Sequence, residues 1–322
     1  MTDTIPPATG PSRRDFLGHG AVPPDPRWPG RARVAVSIVV NFEEGAERAV
    51  SDGDAANEGV YEAIDRIEGL PDPCQDSHYE YGTRAGYWRV MRCLDAFGAP
   101  ATLSACGLAV ERSPWLARDA VARGHEVSCH GWRWERHAGM DPATERAAIA
   151  RTAATIARVT GVAPVGWHTR SAASQNTRAL LVEHGGFLYD SDAYNDDLPL
   201  LVQVGGRRHV VLPYSFDTND MHFHQAGQRF VQGRDFADYL IAAYDQLWRE
   251  GGEVPRMMSI GLHLRMIGRP GRIAGLETAL AHIAQKGGAW IARRDEIARH
   301  WLGRFGAGPL GDVQGAEAGG RG

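Results

Sequence analysis

The sequence predicts an α/β fold, a distorted (β/α) barrel of about seven to eight strands. Three observations carry that expectation. Several short apolar runs lack the strict alternation of a half-exposed strand, so they read as strands covered on both faces. Stretches with helical character separate most of these runs. Roughly eight such units fit within about 270 residues, the size of one barrel. An open, doubly wound sheet is the alternative that the same units could build.

The first strand is RVAVSIVV, 33–40. The stretch 45–83 breaks the alternation and reads as an insertion over the top of the barrel. A helix over 84–97 leads to the strand PATLSAC, 100–106, and a helix over 113–123 leads to HEVSCH, 125–130. The clearest helix is 141–159, with Asp141 as N-cap, Pro142 in the first helical position and Gly161 past the end. The strand APVGWH, 163–168, a helix over 175–184, and the strands FLYDS, 187–191, and HVVLPYS, 209–215, come next. A helix over 233–250, the strand MMSIGLH, 257–263, a helix over 270–285 and the strand AWIARR, 289–294, complete the series. Residues 1–15 are rich in Pro, Thr and Ser, and 303–322 are Gly-rich with few large apolar groups. Both ends are expected to be flexible, leaving a single domain over 16–302.

The chain has 322 residues, with 35 Lys and Arg against 39 Asp and Glu, a formal charge of −4. So even a balance gives no reason to expect a nucleic-acid partner. No apolar stretch approaches the roughly 20 residues of a membrane span, and the N-terminus lacks the apolar core of a signal peptide. A cytoplasmic location is the expectation. Cys74, Cys93, Cys106 and Cys129 form no C-x-x-C pair and read as reduced thiols, with a disulfide as the alternative.

Chemistry gathers at the strand ends. The first strand runs into Glu43 and Glu44, with Glu47 close behind. His130 ends the third strand; Trp167, His168 and Thr169 end the fourth; Asp190 and Asp192 follow the fifth. Asp217, Asn219 and Asp220 follow the sixth, and His263 and Arg265 the seventh. A barrel brings all these ends to one face. Polar residues at strand ends are also ordinary where strands meet solvent, and His130 or His263 alone could be a hydrogen-bonded core histidine. The number and types of residue favour a catalytic site. G-x-S-x-G, Walker and H-E-x-x-H motifs are absent. His222 and His224 in MHFHQ read as an exposed ribbon, since no third metal ligand is evident.

NFEEGAE (41–47), GDAANE (53–58), YEYGTRAGYWR (79–89), SCHGWRWE (128–135), VGWHTRSAASQNTR (165–178), GGFLYDSDAYNDDLP (185–199), NDMHF (219–223) and GLHLRMIGRPGR (261–272) carry a resemblance. Over about residues 14–302 the chain resembles the polysaccharide deacetylase superfamily. Within it, the chain looks most like the branch of metal-independent allantoinases and related cyclic imide and amide hydrolases. The resemblance implies a barrel of the deacetylase type and a homo-oligomer, often a tetramer. In the metal-using members the first strand ends in two aspartates, a base and a zinc ligand, and two histidines four residues apart complete the zinc site. Here the acids are Glu43 and Glu44, His130 matches the first histidine, and Trp134 stands at the second. An indole nitrogen only donates and cannot bind zinc. No metal cofactor is therefore expected, with a weak zinc or other divalent site through Glu44, His130 and His137 as the alternative.

Amide hydrolysis then needs a carboxylate to activate water, and Glu43 is the candidate base. Glu44 beside it would raise the pKa of one of the pair, so that one acts as base and the other as proton donor. His263 matches the histidine that protonates the leaving group, and His130 could orient water or stabilise an oxyanion. Arg265 or Arg269 could grip carbonyl or carboxylate oxygens. Trp167 could form an apolar wall; Trp134, His168, Asp192, Asn219 and Asp220 complete the candidate substrate-binding set. The expected reaction is ring opening of a small cyclic ureide or imide such as allantoin, a step of purine catabolism. Polysaccharide or peptidoglycan N-deacetylation, and an inactive ligand-binding homologue, are the alternatives. His168 stands where that branch typically has tyrosine, Leu264 where it commonly has cysteine, and His222 where it has arginine. These departures leave allantoin itself open.

Overall fold

The computed structural model describes residues 14–59, 65, 67–224 and 230–307. Its organising strand is β1, Val34–Phe42, in which every residue is buried because the sheet is covered on both faces. The other strands are β2 Thr102–Ala105, β3 Glu126–Cys129, β4 Gly166–Trp167, β5 Tyr189–Asp190, β6 Leu200–Val204, β7 Arg207–Val211, β8 Arg256–His263 and β9 Ala289–Ile291. Their spatial order is β6-β7-β5-β4-β3-β2-β1-β8, with β9 pairing the start of β1. Every pairing among the described strands is parallel except β6–β7.

The sheet curls towards closure instead of staying open. The chain beyond β7 reaches β8: Gly261 N–H donates to Thr218 O at 2.9 Å, and Ser259 Oγ donates to Pro213 O at 3.0 Å. The result is the distorted barrel, and the doubly wound alternative is not observed. The helices are α1 Pro73–Tyr81, α2 Tyr87–Ala96, α3 Gly107–Arg112, α4 Pro114–Ala122, α5 Pro142–Thr160, α6 Thr177–His184, α7 Gly233–Glu250, α8 Pro270–Lys286 and α9 Arg294–Phe305. One π-helical segment, Gly82–Gly86, joins α1 to α2. In α5 the Asp141 carboxylate caps the Ala143 and Thr144 amides, and Gly161 ends the helix at φ 76°, where a side chain would be strained.

The structure departs from the expected elements in three places. β6 was not anticipated; it forms a hairpin with β7 through Gly205 and Gly206, both at positive φ (55° and 77°), as a tight two-residue turn requires. The expected strand 289–294 stops at Ile291, and Arg294 opens α9, which extends to Phe305. The Arg294 guanidinium points into the barrel, donating to Ser37, Ser191 and Ser259 hydroxyls and to the Leu212 and Pro213 carbonyls. The insertion over 45–83 contains α1. Most of the two expected flexible ends, 1–13 and 308–322, lies outside the described residues. The four cysteines are free. Among the described residues no helix is long and apolar enough to cross a membrane.

Candidate active site

Glu43 and Glu44 leave the end of β1 directly into the rim, and both are almost fully buried. The β1–β8 register pairs Asn41 with His263, so the two chains continue side by side and bring Glu43 next to Arg265. Arg265 Nη1 donates to Glu43 Oε2 at 2.8 Å and reaches Glu44 Oε1 at 3.4 Å. The Arg265 backbone N–H adds a bond to Glu44 Oε1 at 3.2 Å. The Tyr79 and Trp134 rings lie 4.8 and 5.1 Å from the guanidinium. Glu44 lies against Gly82 of the π-helical segment so closely that a Cβ there would overlap its carboxylate.

The other oxygen of Glu43 faces two imidazoles. Its Oε1 is 3.4 Å from His130 Nε2 and 3.5 Å from His263 Nε2. These separations exceed a tight charge-assisted hydrogen bond, so the rings flank this oxygen without locking it. His263 Nδ1 donates to Asp220 Oδ1 at 2.6 Å, and Asp220 Oδ2 also accepts from the His263 and Ile267 amides at 2.7 and 3.1 Å. The Asp220 contact fixes the ring so that Nε2 faces Glu43. His130 Nδ1 donates to the His168 carbonyl at 2.6 Å, which turns its Nε2 towards Glu43.

The electrostatics separate the two acids. Burial pushes the Glu43 carboxyl up, but the charges of His263 and Arg265, with hydrogen bonds from both imidazoles, hold it well below the ordinary range. Burial raises Glu44 despite Arg265 nearby, and burial pushes Glu47 up to about 7. For His263, burial opposes the charge, yet Glu43 and Asp220 outweigh it and raise the imidazole to about 9. At neutral pH the site therefore holds an ionised carboxylate facing an imidazolium.

A cavity of about 250 Å³ opens onto this pair. Of the residues expected from sequence, Glu43, His130, His263, Trp134, His168 and Asn219 line it. Asn41, Arg170, Ser171, Tyr214, Phe216 and Met221 line it too and were missed. Asn41 had a signal: it is a polar residue in an apolar strand, two positions before Glu43 and so on the same strand face. Tyr214 had one too, as a polar side chain at the end of an expected strand. A larger cleft of about 890 Å³ lies beyond Tyr214 and Phe216, but Glu43, His130 and His263 do not line it.

Several expected site residues do other work. Trp167 is in the core against Phe187, and its indole N–H donates to Thr169 Oγ1 at 2.9 Å, so it is no wall of the cavity. Asp192 accepts from the Thr169 amide and hydroxyl, both at 2.8 Å, and so braces the loop after β4. Arg269 packs over Tyr81 at 3.6 Å and, with His78, borders a separate cleft. Asp220 stands behind His263, and Arg265 is spent on the two carboxylates.

The residues do not fit the zinc site of the metal-using pattern. Trp134 offers no lone pair. His137 is fully buried against Trp167, with its Nδ1 on Glu145 at 3.0 Å, so it cannot join Glu44 and His130. Arg265 already places a cation on both Glu43 and Glu44. Among the described residues no group of three His, Cys, Asp or Glu side chains is arranged to hold a metal ion.

The polysaccharide deacetylase family model matches residues 73–187. A curated protein of Schizosaccharomyces pombe, named "Putative polysaccharide deacetylase", is 36% identical over 313 residues, covering 89% of this chain and 96% of that one. The crystal structure of PuuE allantoinase is similar at 43% identity and a TM-score of 0.87, covering 92% of this chain and 99% of that chain. A crystal structure described as a "probable Polysaccharide deacetylase" from Pseudomonas aeruginosa PAO1 is also 43% identical, with a TM-score of 0.87, covering 91% of this chain and 99% of that chain. Likeness at these levels, across nearly the full length of each relative, shows that the chain belongs to the polysaccharide deacetylase family.

Proposed function

We propose that this hydrolase of the polysaccharide deacetylase family opens a ring carbon–nitrogen bond in a small cyclic ureide or imide, with a carboxylate and an imidazolium in place of a metal ion. The observation that carries this reading is the juxtaposition of Glu43 and His263 at the wall of a cavity of about 250 Å³. That volume lies just below the range of small-molecule sites, roughly 300–1,000 Å³, and suits a compact ring better than a glycan chain. The likeness to PuuE allantoinase supports the same reading and puts allantoin among the candidates.

Each group has a role. Glu43 is ionised and takes a proton from water as the water oxygen attacks the ring carbonyl carbon. His130, with Nδ1 tied to the His168 carbonyl, presents Nε2 beside the same carboxylate oxygen and confines the water there. The tetrahedral intermediate collapses as His263 passes its Nε2 proton to the ring nitrogen and the carbon–nitrogen bond breaks. Asp220 keeps the imidazole charged until that step. Arg265 keeps Glu43 ionised in a buried setting.

The test is a substrate panel on chelator-treated protein with metal analysis of the same sample. Allantoin, hydantoin and succinimide are compared with an N-acetylglucosamine oligomer. Ring opening that survives chelation is the expected result. Deacetylation of the oligomer, or activity lost on chelation and restored by zinc, would overturn the reading.

A further inference from the structure

Two buried polar atoms on residues that line the cavity have no hydrogen-bond partner among the described residues: Asn41 Oδ1 and His168 Nδ1. Both residues line the cavity, and their exposure is only 1% and 5%. A buried acceptor left without a donor is costly, and each such atom calls for an explanation.

The orientation of each side chain follows from what its other end does. Asn41 Nδ2 donates to Tyr214 Oη at 3.0 Å and to the Leu262 carbonyl at 3.1 Å, so the amide nitrogen faces the sheet and the oxygen is the unpartnered end. For His168, Tyr194 Oη donates to Ser171 Oγ at 3.0 Å and so accepts from His168 Nε2–H at 3.1 Å. With the chain of hydroxyls running in this direction, the proton lies on Nε2 and Nδ1 keeps a lone pair. Burial, with His130 and Arg294 nearby, holds His168 neutral. Tyr214 touches both residues: it accepts from Asn41, and its ring lies 4.4 Å from that of His168. Its oxygen also accepts from Asn219 Nδ2 at 3.2 Å, which leaves its own hydrogen to donate.

We propose that Asn41 Oδ1 and His168 Nδ1 receive two N–H groups of the substrate ring, with the Tyr214 hydroxyl donating to the carbonyl between them. The site would then read an N–H, C=O, N–H edge, the edge of a ureide. This rests on the reading above and narrows it: a cyclic ureide offers two ring N–H groups, an imide offers one, and an N-alkylated ring offers fewer. Asn41 and His168 are specificity-determining residues in this scheme; the proton transfers stay with Glu43 and His263.

A cyclic urea that resists hydrolysis separates recognition from chemistry. Imidazolidin-2-one carries the whole edge, and 1,3-dimethylimidazolidin-2-one carries only its carbonyl. Binding of each to the full chain is measured by ligand-observed NMR titration, alongside hydantoin turnover on the same sample. The parent urea should bind at least about tenfold tighter than the dimethyl compound, the usual scale for leaving buried polar groups unpaired. In His168→Phe, which keeps a ring and removes both nitrogens, that ratio should fall severalfold. His168→Asn, which can present an oxygen close to the Nδ1 position, should restore part of it. Equal binding of the two ureas to the wild type, or no binding of either, overturns the inference whether or not hydantoin is hydrolysed. If the ureas are discriminated but no ring is opened, recognition stands and the catalytic reading fails. Should His168→Phe not fold, the wild-type pair of titrations decides alone.

Discussion

Replacing Asp220 by Asn removes the charge that faces His263 and leaves the cavity lining untouched, because Asp220 is not among the residues that border it. The carboxamide oxygen can still accept from the His263 and Ile267 amides, which now lie 2.7 and 3.1 Å from Oδ2, so the turn is kept. What is lost is the anion 2.6 Å from His263 Nδ1. A unit charge at about 4 Å with an effective dielectric of about 20 is worth roughly 4 kcal/mol, near three pH units. Measured shifts from a neighbouring opposite charge run about one to three units, so a drop of about two is expected. His263 must be protonated to act as the acid, so activity falls as pH rises through its pKa. In the wild type that limb is expected near 9, where Glu43 and Asp220 together hold the imidazole against burial. In Asp220→Asn it should move to about 7, giving roughly a tenfold loss of kcat at pH 8 and little loss near pH 5.5. The assay is the pH profile of ring opening on hydantoin between pH 5 and 10, with KM recorded at each point. A basic limb that stays within about half a unit of the wild type would refute the assignment of His263 as an acid tuned by Asp220.

Two further outcomes follow from the same geometry. Glu43→Gln keeps an acceptor for Arg265 but cannot take a proton, so turnover should fall by about 10²–10⁴ with the circular dichroism spectrum unchanged; residual turnover above about a tenth of wild type would remove Glu43 from the role of base. Gly82→Ala forces a methyl group into the Glu44 carboxylate, a crowding that typically costs about 1–3 kcal/mol; the midpoint of thermal unfolding should drop, and an unchanged midpoint would contradict the close packing of the π-helical segment on Glu44.

Much of the architecture was legible because its signals are local. RVAVSIVV is apolar without alternation, and β1 is buried on both faces. Asp141, Pro142 and Gly161 mark the ends of α5 within a residue. β6 escapes the pattern because LPLLVQV is short and the apolar run of its partner starts two residues late, which hides the Gly-Gly turn between them. Site residues divide on the same lines. Glu43, His130 and His263 stand at strand ends, where the barrel rule points. Trp167 stands there too, yet its side chain is turned into the core, and no local pattern distinguishes the two orientations. Arg265 and Arg269 look equivalent in the sequence, four residues apart; one holds the Glu43 carboxylate and the other packs on Tyr81.

The sequence by itself determined most of the element types and the strand ends where acids and imidazoles gather, and the resemblance it carries marked Trp134 as a residue that cannot bind zinc. These follow from residue chemistry and short-range periodicity, which need no partner to be read. Only the tertiary structure decided which carboxylate is kept ionised, which histidine is kept charged and which buried polar atoms lack a partner. Those properties arise between groups as far apart as Arg265 and Glu43, 222 positions along the chain. Burial strengthens such pairings, and only strand register selects them.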